Sequence, residues 1–225
     1  MIHSTSGCAQ FNHPEIQVCV SNRAVPAADI AWFLQFLEQS VAAGEQFRAG
    51  ETLQVGWMLT RIEETPDGCL RITEPDMRAV PILFVDSIDS TLTHLRNQKD
   101  VVESLLPAVD TDFPSLRQSA VVHLNYKTAH RLLLTRYPAN GMDSGWLLSD
   151  LDDSEAQSDP TKFLRVSLYQ LGIDRPDLIR FFAIPPGLQV AIDGFVGVLG
   201  ADGELAQAPG SYLAELNRLG QQRSN

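Results

Sequence analysis

A net charge of −11 over 225 residues argues against nucleic acid or an anionic membrane as a direct partner and favours attraction of a cationic protein. That length suits one large domain or two small ones, and 44% apolar with 20% charged residues is enough for a real core. Cys8, Cys19 and Cys69 are odd in number and lack a Cys-x-x-Cys spacing, which excludes a disulfide framework and a zinc site and suits a reducing compartment.

In chain order, residues 1–14 read as a loose leader. The first eight have neither the basic start nor the apolar stretch of a signal peptide, and no run reaches the roughly 18 apolar residues of a membrane span. The expected compartment is therefore the cytoplasm. Residues 16–20 alternate as a strand. Pro26 can open a helix, because its missing N–H would have no partner in the first turn. Ile30, Phe33, Leu34, Leu37 and Val41 follow at helical spacing, and Gly44 can close it. Residues 53–62 and 69–73 read as strands joined by the turn Thr65-Pro-Asp-Gly68. Residues 81–85 form another strand, and a second helix starts near Ser87 and stops at Pro107. Trp32 and Trp57, lying in periodic segments, are predicted to be core.

Residues 107–114 have the composition of a linker. Beyond them come short strands at 119–124, 131–135 and 145–149, with Tyr137-Pro-Ala-Asn-Gly141 as a turn. Residues 164–171 suit strand or helix, and Asp174 with Pro176 resembles a helix start. A Gly-punctuated strand at 189–199 and a short terminal helix at 211–219 complete the pattern. The expected fold is α+β, in two small domains of mainly antiparallel sheet with a few packed helices. The expected boundaries are 1–106 for the N-terminal domain, 107–117 for a linker and 118–225 for the C-terminal domain.

The chemistry concentrates in one place. Between Asp143 and Asp159 stand six carboxylates and no Lys or Arg, with Trp146 inside the run. As an EF-hand loop beginning at Asp150 it fails, because Glu155 takes the place of the turn glycine and Thr161 that of the bidentate Glu. His123 and His130 stand seven apart, which is no metal-ligand spacing. Gly141-Met-Asp-Ser-Gly145 has Asp where a nucleophile elbow needs Ser, so Ser144 reads as turn chemistry. Cys8 near His13 is the one local thiol–imidazole pair. Gly194, Gly197 and Gly200 lack the dinucleotide-binding spacing and read as bulges or close backbone approaches. Neither a metal nor a cofactor is expected. A concentrated negative surface without a catalytic kit reads as a grip for a basic partner. Paired carboxylates leave a carboxylate- or metal-dependent hydrolase as one rival, and a scaffold for some other protein is a second.

Asp143-Ser-Gly-Trp146, followed by Ser149-Asp-Leu-Asp-Asp153 and Asp159-Pro160, resembles the central pattern of a bacterial polymorphic-toxin immunity family, family thirty-three. Asp174-Arg-Pro-Asp177, Pro185-Pro-Gly187 and Asp202-Gly-Glu204 follow in the matching order, so that the likeness covers roughly residues 118–207. Leu147 and Leu148 depart from the aromatics that members often carry there. The resemblance implies a non-catalytic antitoxin that binds a cognate secreted toxin. It implies a basic nuclease delivered through a type VI secretion system. Asp143, Asp150, Asp152, Asp153 and Glu155 are then expected to face the toxin, with Trp146 as an anchor or as the core prop beneath them.

Overall fold

A computed structural model describes residues 1–224 and divides them, within one helix, into the units 1–96 and 97–224. Its elements are α+β in type, with antiparallel-rich open sheets and a few helices, as expected.

In the first unit, the elements are β1 (Ile2–Ser4), β2 (Ile16–Cys19), α1 (Ala27–Ala42), β3 (Thr52–Val55), β4 (Met58–Glu64), β5 (Leu70–Pro75) and β6 (Phe84–Val85). The sheet runs β1-β2-β5-β4-β3, with β6 paired to β5; β2 and β5 are parallel and the other pairs antiparallel. Alternation buries Ile16 and Val18 of β2 with Ile62 of β4 and Ile72 of β5, while helical spacing buries Ile30, Phe33, Leu37 and Val41 of α1. Residues 53–62 are two strands rather than one, because Gly56, at φ +59°, reverses the chain and pairs Val55 with Met58. The leader is not loose: β1 pairs along β2, and the Thr5 hydroxyl accepts the Ile16 N–H at 2.8 Å. Its polar composition hid a strand attached by backbone pairing and by the buried Thr5 hydroxyl.

Trp57 is fully buried, but Trp32 is 44% exposed and stacks on Phe36 at 5.9 Å. At about 100° per residue Trp32 sits one step round the helix from the buried Phe33, so periodicity places it on the wrong side of the stripe. Burial holds the His94 imidazole down at about 4, and its neutral Nδ1 accepts the Trp57 Nε1–H at 3.3 Å. The buried Glu74 on β5 accepts the Ser90 and Thr91 N–H groups and so caps α2 (Asp89–Glu103), the helix in which the division falls.

The second unit continues with β7 (Leu105–Leu106), β8 (Ser119–His123), β9 (Leu132–Arg136), β10 (Asp143–Asp150), β11 (Phe163–Ser167), α3 (Leu168–Asp174), β12 (Gln189–Ile192), β13 (Val196–Gly200), β14 (Gly203–Glu204), β15 (Ala206–Gln207) and α4 (Tyr212–Ser224). Its main sheet has the order β11-β8-β10-β9-β12-β13-β14, parallel only between β8 and β10; β7 pairs with β15. One face presents Ala120, Val122, Leu132, Leu134, Trp146, Leu148, Val190 and Val198, all essentially inaccessible. Residues 164–171 turn out to be both of the predicted alternatives in succession, strand to Ser167 and then helix, with the Ser167 hydroxyl capping α3. Asp174 caps nothing; it accepts from the Tyr126 hydroxyl, Lys127 and Gln170 instead.

Candidate partner-binding site

The Asp-Ser-Gly-Trp quartet is a built bulge in β10. Asp143 Oδ1 accepts the Gly145 N–H at 2.8 Å, a turn bond made by its own side chain. Ser144 Oγ donates to the Ser119 carbonyl at 2.8 Å and accepts the Trp146 N–H at 3.3 Å. Gly145 has φ +81°, and a Cβ there would lie 2.1 Å from the Tyr137 carbonyl oxygen, so no side chain is admissible. The register against β8 shifts between Asp143 and Leu147, which is the local distortion a bulge introduces. Trp146 then points inward, 1% exposed, with Nε1–H donating to the Phe182 carbonyl at 3.3 Å and the Arg136 guanidinium 5.4 Å over its ring. The structure thus makes Trp146 the core prop rather than a surface anchor. Burial pulls the pKa of Arg136 below the usual guanidinium value, with Asp112 opposing.

The carboxylates that follow divide into two groups. Asp150 is buried at 8% exposure, accepting the Asp152 N–H at 3.0 Å and the Asn125 side-chain amide at 3.3 Å. Asp153 accepts from Lys162 at 2.8 and 2.9 Å, from the Glu155 N–H at 3.3 Å and lies 3.2 Å from His123 Nε2. His123 is itself buried and edge-on to Phe163; its Nδ1 accepts the Asn125 N–H, which assigns the ring proton to Nε2, facing Asp153. Asp159 caps the turn that follows it through the Thr161 N–H and hydroxyl. These three carboxylates hold the loop in shape. The Lys162 ammonium, hydrogen-bonded to Asp153, keeps the Asp153 carboxyl below its ordinary value, and the same contact raises Lys162. Burial pushes the Asp143 carboxyl up, but Arg165 at 2.7 Å and the Gly145 N–H outweigh it and leave it below the usual range.

Asp152 and Glu155 are the exposed members. Asp152 is bonded by Arg131 at 2.7 Å, whose fork also grips Asp193 at 2.6 and 2.8 Å. The run without a Lys or Arg in sequence is therefore laced with Arg131, Lys162 and Arg165 in space. Arg165 on β11 and Arg131 just before β9 are brought in by the sheet, while Lys162 ends the loop itself, nine residues after Asp153. Also missed was the outward sheet face, where Val121, Leu133 and Leu147 are half-buried around a concavity of about 670 Å³. Their alternation with fully buried neighbours was the available signal.

For chemistry the residues offer little. Cys8 is inaccessible and its thiol is pushed up by burial, while His13 Nε2 is occupied by the Phe47 N–H at 3.0 Å. The hydroxyl of Ser144 donates to a main-chain carbonyl, not to a base. Among the described residues no three His, Cys, Asp or Glu side chains converge as metal ligands, and no helix is long and apolar enough to cross a membrane.

Neither the comparison with curated proteins nor that with solved structures yields a match. The comparison with protein families does, over residues 97–198, where the model of the Imm33-like domain fits. That stretch takes in the bulge, the acidic loop and all the strands from β8 to β12. Residues 97–198, within the C-terminal part of this chain, accordingly match the Imm33-like domain of an immunity-protein family.

Proposed function

We propose that the chain is a non-catalytic immunity protein, an antitoxin that binds and neutralises a cognate secreted toxin through its Imm33-like domain. The toxin in this reading is a cationic protein of the nuclease class, delivered between cells by a type VI secretion system, and the immunity protein waits for it in the cytoplasm. The chain itself needs no cofactor. The observation that carries the reading is the loop over residues 151–159, which lies inside the matched stretch. Asp150, Asp153 and Asp159 tie it down from within, so Asp152 and Glu155 are displayed from a framework that need not order on binding. Asp143, Asp152, Asp153 and Glu155 supply the negative potential towards the toxin, with Asp150 and Trp146 supporting them from below.

Complementary charge raises the encounter rate and selects the partner. The test is Asp152→Lys combined with Glu155→Lys, two exposed positions whose reversal gives up the surface Asp152–Arg131 ion pair, worth little to stability, and spares the hydrogen bonds of Asp150, Asp153 and Asp159. Association with the cognate toxin should slow by about tenfold or more, with the melting temperature unchanged. Wild-type association kinetics in that double variant would remove the acidic loop from the mechanism.

A further inference from the structure

The strand register lays out a row across five strands of the second unit. Arg165 on β11 pairs with Val121 on β8, Val121 with Leu147 on β10, Leu147 with Thr135 on β9, and Thr135 with Gln189 on β12. On β8, β9, β10 and β12 these side chains point to the face opposite Trp146, because residues one step along are buried, and the register with Val121 puts Arg165 of β11 on the same face. Leu133, paired with Ser149, adds a third aliphatic beside Val121 and Leu147. The result is an apolar floor with polar ends: Arg165 on one side, Thr135 and Gln189, bonded to each other at 3.1 Å, on the other. The acidic loop closes one end, since Ala156 and Pro160 line the same concavity.

We propose that this outward face is where the toxin docks, an apolar side chain of the toxin entering between Val121, Leu133 and Leu147 while flanking Lys or Arg side chains meet the acidic lip. The proposal rests on the reading of the Imm33-like domain as the toxin-binding part. An apolar centre within a polar rim is the anatomy of protein interfaces, and a few anchors seated at such a centre carry most of the affinity. Charge chooses the occupant. The loop whose Ala156 lines the concavity carries Asp152, Asp153, Glu155 and Asp159, with Lys162 at its end paired to Asp153, and Arg165, the charged residue that lines the concavity, is paired to Asp143. A cationic segment gains from that surplus. A second copy of this chain, at −11, would bring two acidic lips together.

The experiment measures equilibrium binding of the full chain to the purified cognate toxin, made catalytically inactive. Leu147→Asp places a charge on the apolar floor. Ser149→Trp fills the concavity from a half-buried position without touching the core, and covers the case in which Leu147→Asp fails to fold. Each should weaken binding by about 30-fold or more, the loss of one anchor, with Ser149→Trp keeping the wild-type melting profile. Wild-type affinity in Ser149→Trp overturns this docking face while leaving the antitoxin reading intact. A wild-type dimer that Ser149→Trp dissociates overturns it in favour of self-association. Absence of any binding by the wild-type chain brings down the antitoxin reading, and this proposal with it.

Discussion

Gly145 and Trp146 share a peptide bond but differ in what their surroundings would tolerate. A Cβ at Gly145 would meet main-chain oxygen at 2.1 Å, which no rotamer change can relieve, and the left-handed backbone adds a penalty of about 1–2 kcal/mol. Gly145→Ala should therefore cost about 3 kcal/mol or more in urea unfolding, whereas Ser144→Ala, which deletes one hydroxyl with two bonds, should cost about 1–3 kcal/mol. A loss under 1 kcal/mol for Gly145→Ala would mean that β10 can flatten and that the bulge is not obligatory. Reading Asp143 and Ser144 as turn chemistry was possible because their side chains bond within two residues. Whether Trp146 served as core prop or surface anchor was not legible: its direction depends on the bulge, and the partner of its Nε1–H is 36 residues away at Phe182. Trp32 was misplaced for a related reason, since a helical pattern does not reveal where the apolar stripe ends.

The loop between β10 and β11 behaves as a latch, with Asp153 held by Lys162 and facing His123. Asp153 in the fold lies below its unfolded value of about 3.9, so the stability it lends is present above that pH and is lost as pH falls through the folded value. Lys162 lies above its unfolded value of about 10.4, so its share is present below that pH and is lost as pH rises through the folded value. The latch is thus closed from about pH 4 to about pH 10. Lys162→Met should return the Asp153 carboxyl towards its ordinary titration and speed amide exchange across residues 152–158 at neutral pH, leaving the sheet protected. Unchanged exchange in that variant would show that the loop is held by its turns alone. Alternation made the strands β8, β9 and β10 legible, each falling within one or two residues of its expected bounds. Arg131 and Arg165 were not legible as partners of the acidic run, because an ion pair across strands depends on register, and register is settled by the whole sheet.

At the scale of the whole molecule, charge is the property most directly readable from composition, and it bears on rate more than on fold. The first 106 residues carry 14 acidic and seven basic side chains, so the surplus does not belong to the acidic loop alone. A field summed over the chain reaches a cationic toxin before any contact forms, and salt shortens its range from about 30 Å at 0.01 M to about 3 Å at 1 M. The antitoxin reading therefore expects the association rate to fall steeply across that interval. The dissociation rate should change little, because an anchor on the floor of Val121, Leu133 and Leu147 is desolvated and poorly screened. Stopped-flow mixing with the inactive toxin separates the two rates. A flat association rate would leave the net charge as a matter of solubility, with recognition resting on shape; a dissociation rate that climbs with salt as steeply as association falls would place the affinity in exposed ion pairs and empty the apolar floor of its role.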